Sequence, residues 1–223
     1  MIPLIDKKVL VTGGTRGIGK EIVAQLREEG CQVLSVGRKD GDLATVTGVG
    51  EVVVYTNSVL GNPDILINCA GVYLKKTIQN STLLDYDYMM NINVRAMWLL
   101  CKAFSPYMLQ QKWGRIVNFG SIASFHGHPD QALYNTSKHA VLGLSRALFK
   151  EFNPYNVRVL CVCPGGVQTD MGRECVGDTD IRTFLDPKEV AQHTVFNLKF
   201  DAELVNTEIR INRYIETGKI PSI

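Results

Sequence analysis

Short β-branched apolar runs alternate along the chain with longer stretches in which apolar residues recur every three or four positions. This alternation predicts repeated βαβ units around a parallel sheet. Lys8-Val-Leu-Val-Thr12 is a brief apolar run closed by glycines, as a buried strand would be. Ile18, Ile22 and Leu26 then form one helical stripe that stops near Gly30. Gln32-Val-Leu-Ser-Val36 reads as a second strand, and Asp64–Asn68, Arg115–Asn118 and Val157–Cys163 as further central ones. Two long helical stretches, 83–111 and 131–152, lie between them. A shorter helix opens at Asp186-Pro187, where Asp186 suits the cap and Pro187 the first helical position. Thr207–Asn212 alternates polar and apolar residues, as a half-exposed edge strand does. With no internal repeat and no Pro/Gly/Ser linker, residues 1–223 are expected to form a single domain.

The segment from Lys39 to Pro63 breaks the pattern. Val52-Val-Val-Tyr55 has the composition of a strand, yet only Thr56 to Pro63 separates it from the strand at Asp64. Those residues reach about 26 Å when extended. They would have to pass about 14 Å sideways and also return the length of a strand. The expectation is therefore a shortened third-strand region, with 51–55 an antiparallel edge strand or irregular and the helix before Asp64 missing.

Composition narrows the function classes. The 223 residues are 45% hydrophobic and 21% charged, in the range of ordinary globular domains. The net charge of +2 comes without a basic cluster, which argues against a nucleic-acid or membrane-surface binder. The richest apolar stretch, Ala96 to Phe104, is interrupted by Lys102 and is too short to span a bilayer. The N-terminal residues lack the basic start and apolar run of a signal peptide, so a cytoplasmic location is expected. Six cysteines (Cys31, Cys69, Cys101, Cys161, Cys163 and Cys175) follow no C-x-x-C pattern and read as thiols rather than disulfides or zinc ligands.

Candidate chemistry begins at Thr12-Gly-Gly-Thr-Arg-Gly-Ile-Gly19. It follows the first strand and opens the first helix. Gly13, Gly17 and Gly19 allow a sharp turn and a close backbone approach to a pyrophosphate, which the helix N-terminus favours. An acidic residue about 20 positions on would hold the free ribose 2′-hydroxyl of NAD. That place is taken by Gly37-Arg38, and Arg16 lies within the turn itself. Two guanidinium groups suit a 2′-phosphate, so NADP(H) is favoured over NAD(H).

A second constellation lies downstream. Tyr134 and Lys138 stand one helical turn apart and project from one face. An ammonium beside a phenol is expected to lower the phenol's pKa from about 10 and make Tyr134 a usable proton donor or acceptor. Ser121, at the end of the strand 115–120, can hydrogen-bond a carbonyl oxygen. His126 and His128 occupy the loop between them; with no third ligand at a suitable spacing they imply no metal, and His128 is the one expected near substrate.

In this order the motifs resemble the short-chain dehydrogenase/reductase family. The family's T-G-x-x-x-G-x-G turn is matched by Thr12–Gly19, its N-N-A-G by Asn68-Cys69-Ala70-Gly71, and its Y-x-x-x-K by Tyr134 and Lys138. Ser121, Pro164-Gly165 and the helix residue Asn93 match as well, and the likeness runs from about Leu4 to Val195. The resemblance implies an α/β Rossmann-type fold, a doubly wound, mainly parallel sheet with helices on both faces. It also implies a carbonyl reductase similar to 3-oxoacyl-carrier-protein reductases, acting on a small-molecule carbonyl substrate, free or carrier-linked.

In that family Tyr134 would donate a proton as hydride arrives, and Ser121 would orient the carbonyl. Lys138 would bind the nicotinamide ribose, and Asn93 would hold a water relaying protons to Lys138. Gly13, Thr15, Arg16, Gly17, Ile18, Gly19 and Arg38 would meet the phosphates and the adenosine ribose. Asn68, Ala70 and Gly71 would line the adenine side, and Pro164, Gly165, Val167 and Thr169 would cover the nicotinamide. Gly165 to Leu185 corresponds to the family's substrate lid; it is short here and carries Arg173, Glu174, Asp178, Asp180 and Arg182. The helices 83–111 and 131–152 imply a homodimer or homotetramer. The family's adenine-holding aspartate has no clear counterpart, Asn57 being the nearest polar residue, and the tail lacks the common Gly-Gly strand. Two alternatives stay open: an NAD-dependent alcohol or sugar dehydrogenase, and a non-catalytic NADP-sensing protein.

Overall fold

In the computed structural model the described residues are 1–176, 181–201 and 206–213. Six strands form one wholly parallel sheet: β1 (Lys8–Thr12), β2 (Gln32–Val36), β3 (Ile65–Asn68), β4 (Gly114–Phe119), β5 (Val157–Pro164) and β6 (Glu208–Ile211). Their order across the sheet is β2-β1-β3-β4-β5-β6, a Rossmann-like arrangement. The chain reverses direction across the sheet beside β1, so the ends of β1 and β3 flank the crevice where such sheets bind ligands.

Strand residues alternate between two cores. Val9, Val11, Ile65, Ile67, Val117 and Val162 face α1 (Gly17–Glu28) and α7 (Pro187–Leu198). Leu10, Leu66, Ile116, Val159, Cys161 and Cys163 face α2 (Val46–Val59), α4 (Met97–Gln110) and α5 (Ala132–Phe152). Ile22 and Leu26 of the α1 stripe are fully buried. Asp186 caps α7 by accepting from the Lys188 N–H, with Pro187 in the first turn, as expected. β6 pairs with β5 alone and is half-exposed.

The stretch read as one helix over 83–111 begins with α3 (Leu83–Met90) and runs into α4 through a π-helical turn, Asn91–Ala96. A short α6 (Asp170–Val176) precedes α7. Asp178 and Asp180 lie outside the described residues, as does the tail from 214 onward.

The 39–63 segment corrects the sequence expectation. Val52–Tyr55 is neither an edge strand nor irregular: it lies within α2, the helix expected to be missing before Asp64. No separate strand intervenes between β2 and β3 among the described residues. Fourteen helical residues span about 21 Å, enough to return the chain from the top of β2 to the foot of β3.

Tertiary contacts override the β-propensity of the valine run. Val49, Val52 and Thr56 are buried at helical spacing, whereas Val54 points outward. Thr45 caps the helix, its hydroxyl accepting from the Gly48 N–H at 2.9 Å. Gly48 also lets the preceding loop fold down onto the helix, since a Cβ there would collide with the Asp42 carbonyl.

Candidate active site

A cleft of about 760 Å³ opens along the C-terminal ends of β1, β3, β4 and β5. Its nucleotide end is built on the turn between β1 and α1. Gly13 takes φ +69°, and a Cβ on it would stand 2.8 Å from the Ala70 backbone, so only glycine lets the two loops touch. The Thr12 hydroxyl ties them together, accepting from the Ala70 N–H at 3.3 Å. The first turn of α1 carries no acid, and its N-cap Arg16 makes no side-chain cap bond. The terminal N–H groups therefore stay free for an anion.

Most of the sequence-predicted residues meet at this cleft. Gly13, Thr15, Arg16, Gly17, Ile18, Gly19, Arg38, Ala70 and Gly71 line it, as do Pro164, Gly165, Val167 and Thr169 from the far side. Ser121, Tyr134, Lys138 and His128 line it too, whereas His126 is exposed and apart from it. Arg173 and Glu174 are also exposed. Asn68 and Asn93 are buried behind the wall. Asn68 donates to Asn118 Oδ1 at 2.9 Å, between β3 and β4. Asn93 accepts from the Val72 N–H at 2.8 Å and donates to the Val72 carbonyl and to Ser137 Oγ.

Ser121, Tyr134 and Lys138 are braced from behind. Ser124 Oγ donates to the Lys138 carbonyl at 2.8 Å and accepts from the Ser121 N–H at 3.2 Å, fastening the end of β4 to α5. Ser121 Oγ accepts from the Ala123 N–H at 3.2 Å, and its hydroxyl reaches the Tyr134 phenol. Lys138, 6% exposed, donates to the Phe119 carbonyl at 2.8 Å and sits 5.7 Å from the Tyr134 ring centre.

The expected lowering of the Tyr134 pKa is not found. Burial pushes the phenol up to about 12, against a smaller downward pull from the Ser121 hydroxyl. Burial likewise moves Lys138 below its ordinary value, because a desolvated ammonium is disfavoured. The same low dielectric thus favours the neutral form of both groups.

Sequence reasoning missed several cleft residues. Asp42 and Leu43 line the nucleotide end, and Asp42 Oδ2 lies 3.7 Å from Arg38. A cleft-lining aspartate therefore comes from the loop after β2; Asn57 is on the exposed face of α2. Its signal was the Asp-Leu pair before the Thr45 cap, hidden once 51–55 was taken for a strand. Tyr73 went unnoticed as well: its ring meets Tyr134 edge-on, with centroids 5.0 Å apart. Nothing in the spacing of Tyr73 announces that contact.

The parallel sheet, the glycine turn against α1 and the Tyr-Lys pair over the same crevice define a dinucleotide-binding oxidoreductase fold. The short chain dehydrogenase model matches residues 7–51 and 40–179, and the chain belongs to that family. An uncharacterised oxidoreductase of Staphylococcus saprophyticus is 31% identical, covering 95% of this chain and 99% of that protein. The 3-oxoacyl-[acyl-carrier-protein] reductase of Aquifex aeolicus is 33% identical, covering 76% and 77% respectively. Among solved structures, a putative NAD(P)-dependent gluconate 5-dehydrogenase from Beutenbergia cavernae, with NADP bound at low occupancy, superposes with a TM-score of 0.85. It is 28% identical and covers 93% of this chain and 95% of its own. No helix among the described residues is long and apolar enough to cross a membrane.

Proposed function

We propose that this chain is an NADP(H)-dependent carbonyl reductase that turns a ketone into a secondary alcohol, its 223 residues acting as one catalytic domain. The observation that carries the reading is the convergence of Ser121, Tyr134 and Lys138 on the cleft whose other end is the uncapped glycine turn. The residues fit a nicotinamide dinucleotide. Gly13 leaves room where a side chain would block the approach of the loops, and the free N–H groups of α1 would donate to a pyrophosphate. When bound, the cofactor supplies a hydride to the carbonyl carbon.

The chain's own residues do the rest. Tyr134, kept neutral by burial, holds the proton that the carbonyl oxygen takes as negative charge develops on it. Ser121, whose hydroxyl reaches the Tyr134 phenol, would donate to the same oxygen and fix its direction. Lys138 has N–H donors beyond the one given to Phe119, and these would hold the hydroxyls of the nicotinamide ribose. Asn93 works as a positioning residue. Its amide links Val72 to Ser137, whose hydroxyl donates to the Tyr134 carbonyl at 2.8 Å, so it holds the start of α5 against the loop after β3.

NADP(H) is supported by Arg16 and Arg38, both exposed at the nucleotide end and held, among the described residues, by long contacts to Asp170 (3.5 Å) and Asp42 (3.7 Å). A 2′-phosphate offers each a stronger, bidentate partner. One observation favours a second reading, an NAD(H)-dependent alcohol or sugar dehydrogenase: the Asp42 carboxylate lines the same end and could accept from a free 2′-hydroxyl. Initial rates with NADPH and NADH on a panel of small ketones separate the two. A higher kcat/KM with NADPH is expected, and its loss in Arg38→Ala with the NADH rate retained. A preference for NADH that collapses in Asp42→Asn establishes the second reading instead. Turnover of no carbonyl with either nucleotide sinks both.

A further inference from the structure

The substrate end of the cleft holds a polar group without a partner. Tyr73 is 8% exposed, its hydroxyl is shut off from solvent, and no described residue forms a hydrogen bond with it. A buried hydroxyl left unsatisfied is destabilising. Nothing in the packing requires one here, because phenylalanine would keep the edge-to-face contact with Tyr134.

What faces the hydroxyl is a thiol. The Cys175 thiol of α6 faces it without completing a hydrogen bond; the first turn of α6 is anchored by the Thr169 hydroxyl, which accepts from the Gly172 N–H at 3.1 Å, while the Cys175 end touches the wall through a 3.9 Å contact from Gln131 to that same sulfur. A thiol is a poor acceptor, and an oxygen in its place would complete the phenol's hydrogen bond.

The rest of the lining says which oxygen. Arg16, Arg38, Asp42 and Asp170 are the charged side chains of the nucleotide end, and Lys138 is committed to the Phe119 carbonyl and, on the reductase reading, to the ribose. The remaining lining includes Tyr88, Ile92, Ile122, His128, Gln131 and Phe184, with no further lysine or arginine, and the Asp130 carboxylate acts on the Tyr73 hydroxyl, so an anionic substituent there would be repelled. The complementary substituent is neutral.

We propose that Tyr73 is a specificity-determining residue, donating its hydroxyl to a neutral oxygen carried beside the reacting carbonyl, so that hydroxylated ketones are preferred over plain ones. The proposal rests on the carbonyl-reductase reading and deepens it. The matched probes are acetoin and butanone, which share a carbon skeleton and differ by one hydroxyl next to the ketone.

The wild-type chain is expected to show a several-fold higher kcat/KM for acetoin. Tyr73→Phe is expected to cut the acetoin-to-butanone ratio about three- to tenfold, mainly through the KM for acetoin. Two results overturn the proposal while leaving a reductase in place: butanone reduced as well as acetoin by the wild type, or a Tyr73→Phe change that scales both substrates equally. The first needs no variant and holds even if Tyr73→Phe folds poorly. Reduction of neither ketone, nor of any other in the panel, removes the reductase reading and the proposal with it.

Discussion

At the scale of single residues, the proposed chemistry depends on a phenol that burial keeps protonated. Tyr134→Phe removes the proton and little volume. Turnover is expected to fall at least a hundredfold while NADPH binding, followed by fluorescence, stays within a fewfold of wild type. The raised pKa also fixes a sign. A proton donor works below its pKa and a proton acceptor above it, so ketone reduction should stay flat from pH 6 to 9. Alcohol oxidation by the same chain should rise with pH across that range. Rate profiles in both directions check this, and a reduction rate climbing towards alkaline pH would refute the donor role. Residue types and spacing made Ser121, Tyr134 and Lys138 legible, because each was needed in a stated chemical role. They did not reveal the sign of the Tyr134 shift. Proximity of an ammonium is visible in a sequence, but the depth at which both groups are buried is not.

At the scale of elements, the strands were readable because a parallel strand covered on both faces is a near-continuous apolar run. The first two strands start and stop at the residues their pattern indicates. The failure was α2, where a run of valines fits either a buried strand or a helix face. The discriminating signals were a threonine cap and buried positions at 49, 52 and 56. Removal of the cap in Thr45→Ala is expected to destabilise the protein by about 1 kcal/mol, and Val52→Ala, at a fully buried position, by about 2 kcal/mol. Urea denaturation gives both values. If Val52 instead belonged to an exposed strand, its truncation would cost almost nothing.

At the scale of the whole molecule, the end of the sheet opposite the cleft is closed by a charged clamp. Arg115 has no exposed surface and stacks over Trp113; its guanidinium donates to the Phe200 carbonyl and to Asp201 at 2.7 Å. Arg158 reaches the same carbonyl at 2.8 Å. Asp201 thus balances the charge of two crowded arginines, and burial with Arg158 nearby pulls Arg115 down to about 10. Asp201→Asn keeps the shape and removes the charge. It is expected to cost about 2–3 kcal/mol, several degrees in Tm, with little change in KM for substrate or nucleotide. A sizeable KM change would mean that the floor of the sheet is coupled to the cleft. For assembly we propose a homodimer or homotetramer built on α3, α4 and α5, where Leu83, Leu84 and Trp98 are exposed. Sedimentation at the 24.8 kDa monomer mass would refute it.

The loop that carries Arg38 and Asp42 rests directly on the first turn of α2 through Gly48, so nucleotide selectivity and the cohesion of that crossover share one set of atoms. Exchanging this loop to redirect coenzyme choice would also unsettle the helix beneath it. A nucleotide captured there should in turn slow amide hydrogen exchange along α2, well beyond the groups it touches.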